Sequence, residues 1–341
     1  MTLGPDSVRR EATGNVQPYR KYRRSGVLAM LTLGLALLSG CVLDQDYTPV
    51  VMQFQQASGA LAQSFGALLA NANTVEYEHY IDSQAFEHGQ LSPAQIDSRA
   101  VITADELKLR SDAVLALASY TTALATLAQG KEEAQIVADA NAAGASFSTL
   151  ATDGQTAAAA HHLIPSTADY AGPISAAAGA AGEILGLIER HRTHEEIRRS
   201  IEKNDPALAA LFNLLGSESK AIYERQRSTQ SAQGVMLFAD YNREIAQPAP
   251  DKDYLLQLSD RIKQFRRNQT LVANSDPAPA IAAFKKAHDA LVALILAPRS
   301  DKPQSLAALV TSVRSFAAEV QPLSANVQAT AATTNGKAAT R

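Results

Sequence analysis

Two histidines three positions apart have the spacing of a metal-binding pair. On a helix, His191 and His194 would share one face, where two imidazoles could bind a transition metal together with a ligand from another helix. The surrounding segment, Glu189–Lys203, is rich in charges. The alternative is therefore a solvated helix face that includes histidines without using them.

A second metal candidate is the pair Glu76 and His79, which forms a Glu-x-x-His motif on a predicted helix. Di-iron sites of ferritin-like proteins need two such motifs and additional glutamates. The sequence holds no second copy, which favours a partly buried histidine with local hydrogen bonds. We therefore expect no metal cofactor.

Three polar residues, Gln226, Thr229 and Gln233, interrupt an apolar stripe that runs from Leu211 to Met236 on a long predicted helix. Buried polar groups need hydrogen-bonding partners. These side chains could line a ligand cleft or a water-filled seam. The alternative is that the helix leaves its bundle at this level and faces solvent.

Motifs of the common enzyme classes are missing from the sequence. It contains no Gly-x-Ser-x-Gly elbow, no glycine-rich phosphate loop and no His-Glu-x-x-His zinc motif. The carboxylates are scattered, and no pair can be placed across a cleft. The sequence therefore predicts a protein that is not an enzyme.

The one cysteine of the chain, Cys41, follows a basic run and an apolar run. Lys21, Arg23 and Arg24 precede Gly26–Leu38, which is too short to span a membrane as a helix but long enough to engage the export machinery. Leu38-Ser39-Gly40-Cys41 resembles the lipobox of bacterial lipoprotein precursors at all four positions. The alternatives are an uncleaved signal anchor and an ordinary secretion signal with an incidental cysteine.

The resemblance implies a lipid anchor. Cleavage between Gly40 and Cys41 would make Cys41 the N-terminus, with a diacylglycerol on its sulfur and a fatty acyl group on its amine; more than one acyl chain makes anchoring stable. In the family, an aspartate directly after the cysteine favours the inner membrane, and here Val42 follows. We therefore expect attachment to the outer membrane, facing the periplasm.

The net charge argues against a nucleic-acid partner. Residues 1–40 hold six basic and two acidic side chains, and removing them from totals of 31 and 34 leaves 25 basic and 32 acidic ones, a net charge of −7. Nucleic-acid binding needs a basic surface. We expect a membrane contact through the anchor and a protein partner in the envelope instead.

The composition predicts an all-α protein, because alanine and leucine are abundant and no period-two strand pattern is longer than four residues. Gly89 is a candidate left-handed cap, Thr103–Glu106 a capping box, and Asp205-Pro206 a helix start. Short connections predict an elongated antiparallel bundle of seven to eight helices, some very long. The predicted helices cover about 51–88, 103–130, 131–150, 174–203, 205–248, 253–273, 275–296 and 305–330.

This pattern predicts four parts of the chain. Residues 1–40 are the signal peptide, 41–49 the lipidated cysteine and tether, 50–330 the helical bundle, and 331–341 a disordered tail. A break at Thr152–Pro173 is the place where the bundle would divide. The sequence thus favours an envelope lipoprotein with a helical interaction or scaffolding domain; the alternative is a periplasmic helical protein that binds a ligand or a metal.

Overall fold

The computed structural model describes residues 48–87, 89–128, 131–157, 171–190, 194–298 and 300–338. These residues form the predicted all-α bundle and contain no strand. Tyr47–Arg341 make one compact unit. The helices are α1 Thr48–Glu87, α2 Pro93–Asp97, α3 Ala104–Ala128, α4 Glu133–Ala157, α5 Ala171–Glu189, α6 His194–Ile245, α7 Lys252–Ala273, α8 Ala278–Leu296 and α9 Lys302–Ala338.

The long helix α6 contains 52 residues and is roughly 80 Å long at 1.5 Å per residue. The sequence predicts its start at Asp205-Pro206, which is wrong: the helix begins at His194 and Pro206 lies inside it. The predicted fourth helix is correspondingly shorter and ends at Glu189 as α5.

Tertiary packing explains why the helix continues through this proline. Ile201 and Leu208 lie on either side of Pro206, seven positions apart, and both are completely buried. Both turns are therefore held against the same core. The Asp205 carboxylate, expected to cap a helix, instead lies 3.0 Å from Nε2 of His288 on α8.

The helices α7 and α8 lie one after the other along α6, and both run antiparallel to it. The Tyr223 hydroxyl of α6 donates to the carbonyl of Ala273 at the end of α7, and Phe212 packs edge-on against Phe284 of α8. The prediction that sequential helices pack antiparallel is therefore wrong for α7 and α8, which follow each other in the chain. The connection at 274–277 joins two helices of similar direction, because α6 is long enough to bind both.

The main core lies around an aromatic cluster to which the four helices α1, α6, α8 and α9 contribute rings. The rings of Phe284 and Phe316 stack at 5.0 Å, and Phe54 contacts both. On the other side of Phe284, Phe212 stacks on His288 at 5.3 Å. Along α6, this main hydrophobic cluster ends at Ile222.

The ends of two helices test the predicted caps. Thr103 N–H donates to Glu106 Oε2 at 2.9 Å and Glu106 N–H donates to Thr103 Oγ1 at 3.3 Å, which confirms the capping box. Gly89 N–H donates to the carbonyl of Gln84 at 2.7 Å. Its φ lies outside the left-handed region, so the prediction of a left-handed cap is wrong.

Two predicted boundaries lie elsewhere in the structure. The break predicted at Thr152–Pro173 is narrower, because α4 extends to Ala157 and α5 begins at Ala171. Near the end of α4, the Asp153 carboxylate pairs with Lys108 of α3. The residues between, 158–170, lie outside the described ranges. At the other end, α9 continues to Ala338 through an alanine-rich segment, past the start of the predicted tail at 331.

Within the described ranges, α3 is the one helix long and apolar enough to cross a membrane by length and composition. Of its most apolar window, 61% is buried inside the bundle. A core helix buried in a bundle meets the same criteria of length and composition.

Candidate functional site

The lipidation site lies outside the described residues, as Gly40 and Cys41 belong to 1–47. His191 also lies outside them, and His194 is the first residue of α6, with its side chain outside the described part. Lipidation and the histidine pair therefore stay predictions from the sequence.

The structure joins two sets of candidate residues that are far apart in the sequence. The Thr229 hydroxyl of α6 donates to Oε2 of Glu76 on α1 at 2.6 Å. The Arg225 guanidinium pairs with the other oxygen of the same carboxylate. Glu76 is buried, so these two partners supply the hydrogen bonds that its charge requires.

The same arrangement repeats farther along both helices. Gln233 Nε2 donates to Oδ2 of Asp82 at 2.9 Å, and Arg261 of α7 pairs with Oδ1. We call these contacts between Glu76 and Asp82 of α1 and their partners on α6 and α7 the polar seam. Acidic side chains come from α1, which has no lysine or arginine, and cations come from α6 and α7.

Two buried atoms near the polar seam have no hydrogen-bond partner. They are Nε2 of Gln226 and Nδ1 of His79. His79 is half-buried near the end of α1, as predicted, but its Nδ1 lacks the predicted local hydrogen bond. Of the three polar residues Gln226, Thr229 and Gln233, Gln226 is the one whose amide nitrogen has no hydrogen-bond partner in the structure.

The polar seam is closed by side chains of the protein. Both oxygens of Glu76 are occupied by Arg225 and Thr229, and Gln233 is held by Asp82. Among the described residues, no group of three or more His, Cys, Asp or Glu side chains could hold a metal ion. The geometry is that of an interhelical contact between parallel helices α1 and α6.

A buried ion pair was missed by the sequence analysis. Arg110 Nε of α3 donates to Glu218 Oε2 of α6 at 3.0 Å, and the two side chains are only 5% and 10% exposed. Arg110 also donates to the carbonyl of Glu106 at 3.1 Å. The available signal was Glu218, a charge placed between Leu215 and Ile222 on an apolar stripe.

His288 is a second residue that the sequence analysis did not single out. Its side chain is completely buried, with Nε2 bonded to Asp205 and Nδ1 without a partner. The nearby Tyr120 hydroxyl also lacks one, and its pKa is raised by burial and by the negative charge of Asp205. A histidine between Phe284 and Leu291 on an apolar face was the signal.

Open grooves occur elsewhere on the described surface. One groove of about 420 Å³ lies between α1 and α9, next to Ala57 and Val320. Another of about 420 Å³ lies near the start of α4, next to Met52 and Asp139. None of the candidate residues lines either groove. No protein-family model matches the chain, and comparisons with curated proteins and with solved structures found no match.

Proposed function

We propose that the protein is a bacterial envelope lipoprotein whose helical bundle is a non-enzymatic interaction or scaffolding element. The observation that carries the proposal is the four-residue match Leu38-Ser39-Gly40-Cys41 behind a basic and an apolar run. In this proposal the diacylglycerol on Cys41 is the anchor, and Val42 in place of an aspartate supports attachment to the outer membrane, facing the periplasm.

The contacts of the candidate residues support an interaction role over a ligand-binding one. Glu76, Thr229 and Gln233 hold α1 and α6 together through hydrogen bonds within the protein, which supports a structural role for these side chains. A helix of roughly 80 Å that crosses the whole bundle gives a rigid body with a long reach. Tethering such a body raises its effective concentration toward partners in the same membrane.

Lipidation is tested by labelling the full chain with radioactive fatty acid in a bacterial host. Label should appear on the protein and disappear in Cys41→Ser, where a hydroxyl replaces the acylated sulfur. Unchanged label in the variant, or none in either protein, overturns the anchor.

The choice of membrane is tested by fractionating the same cells on a density gradient. The protein should band with the outer membrane, and Val42→Asp should shift it to the inner membrane. Co-purification after cross-linking should return a defined envelope protein or a second copy. A protein recovered alone under all salt and detergent conditions would contradict the interaction role.

A further inference from the structure

The far end of α6 exposes an apolar stripe. Val235, Phe238 and Ile245 are 70%, 44% and 53% exposed. Together with the exposed Asn242 they repeat at intervals of three, four and three residues, which places them on one helix face. We call these four residues the α6 stripe.

The other faces of α6 are occupied at this level. Gln233 faces α1, where it bonds to Asp82. Gly234 faces α7 so closely that a Cβ atom would lie 2.5 Å from Phe265 Cζ. The α6 stripe lies on a third face, to which the described residues bring no helix.

The stripe has the pattern of a two-stranded coiled-coil seam. Val235 and Asn242 take a positions, and Phe238 and Ile245 take d positions. A single asparagine at an a position is a known specifier of register and of two strands. Its neighbours at the flanking e and g positions within α6 are uncharged: Gly234, Ala239 and Tyr241.

We infer that the α6 stripe binds the α6 stripe of a second copy of this chain, parallel and in register. In that arrangement Asn242 meets Asn242, and no like charges face each other at e or g. Antiparallel pairing would place Asn242 opposite an apolar residue and leave its amide unpaired. Two copies anchored through Cys41 in one membrane also have the same orientation. A parallel pair requires this shared orientation, and an antiparallel pair does not.

The size of the stripe determines where pairing occurs. A stable interface of standard size buries about 800 Å² per partner, more than three apolar side chains supply. Pairing in dilute solution is therefore weak, and the anchor has to raise the effective concentration. In this respect the inference rests on the proposed function.

Disulfide formation tests the pairing in the full chain. Cys41 is the only cysteine, so Asn242→Cys adds one reportable position once the Cys41 sulfur is acylated. The matched control is Gln257→Cys, an exposed position on α7 one turn after Tyr254, which bonds to Asp240 at the same level of the bundle. Mild oxidation of intact cells should give several-fold more disulfide dimer from Asn242→Cys than from the control.

A second variant separates specific pairing from collision. Val235→Glu in the Asn242→Cys background places like charges opposite each other, and dimer yield should fall to that of the control. Because Val235 is largely exposed, this substitution should leave the melting temperature of the protein unchanged.

Each result decides the inference. Equal yields at 242 and 257, or a yield that Val235→Glu does not reduce, overturn the pairing. Fractionating the same cells distinguishes the two proposals: membrane-bound protein without dimer refutes the pairing and leaves the anchor standing. Soluble protein without dimer refutes the anchor and, with it, the anchor-dependent pairing; soluble protein with the 242-specific dimer keeps the pairing and refutes the anchor.

Discussion

Thr229 donates its hydroxyl hydrogen to Glu76 across 153 positions of the chain. The bond joins two parallel helices, α1 and α6, at a level where the main hydrophobic cluster has ended. Polar contacts therefore help to hold the far parts of these helices together, beside buried side chains such as Val75 and Leu237.

Replacing Thr229 with valine should lower the free energy of unfolding by about 1–3 kcal/mol, because the buried Glu76 carboxylate loses a hydrogen bond while the shape of the side chain is kept. The measurement is a urea titration followed by circular dichroism. Thr270→Val is the control, since that hydroxyl is exposed and bonds only to its own helix, at Arg266. Equal effects of the two substitutions would contradict the role given to Thr229.

Breaking the ion pair between Arg110 and Glu218 should be more costly. Glu218→Leu takes the Glu218 carboxylate away from the buried Arg110 guanidinium and should destabilise by roughly 3–5 kcal/mol. Adding Arg110→Met removes the buried positive charge as well. The double variant should therefore be more stable than Glu218→Leu alone, and a double-mutant cycle in urea measures this coupling. Additive losses would show that the pairing of charges is not the cause.

A methyl group at Gly234 should destabilise the contact between α6 and α7. In an open helix position, Gly→Ala gains about 1 kcal/mol, but here the new Cβ would lie 2.5 Å from Phe265 Cζ. We expect a net loss of about 1–3 kcal/mol, since the ring or the helix has to shift. Thermal melting of Gly234→Ala provides the measurement.

Gly182 of α5 offers the matched control, because nothing lies within 4 Å of a Cβ there. Gly182→Ala should raise the melting temperature. Phe265→Leu combined with Gly234→Ala should recover part of the loss; a stabilising Gly234→Ala would contradict the close approach of the two helices.

Alkaline titration should report on Tyr254, whose hydroxyl donates to Asp240 Oδ2 at 2.7 Å. This hydrogen bond, followed by burial, raises the pKa of Tyr254 above its ordinary value of about 10. The protonated phenol is favoured in the folded state. Its contribution to stability is therefore complete below about pH 10 and is lost as pH rises through the folded-state pKa.

Tyr254→Phe should lower stability at neutral pH by about 1 kcal/mol and make the alkaline loss shallower. Tyrosinate absorbance should show Tyr120 and Tyr223 ionising late as well, because burial raises the pKa of both. A titration in which all tyrosines ionise together before unfolding would refute these environments.

The fold could be predicted from local patterns wherever one helix face is apolar and its ends carry caps. The capping box at Thr103 and Glu106 is an interaction over three residues, and the structure confirms it. Pro206 shows the limit of this approach. Its local meaning is a helix start, but Ile201 and Leu208 bury both adjoining turns in one core, and tertiary packing outweighs the local signal.

The candidate site could be predicted only in part, for a related reason. The sequence identifies Gln226, Thr229 and Gln233 as polar interruptions of an apolar stripe. Their partners depend on how α6 aligns with α1, and a local pattern contains no information on that alignment. From the sequence, Glu76 is only a metal candidate beside His79, and one that the missing second motif disfavours, whereas in the structure it bonds to Thr229.

The unbroken backbone of α6 also determines how the protein would respond to tension. A pull between the two ends of α6 would load its contacts with α7 and α8 in shear, because both neighbours lie along the same helix. Contacts loaded in shear share the force and give way together, unlike those of a hairpin that is unzipped from one end. The helix that carries Pro206 in its interior would thus be the element that bears the tension.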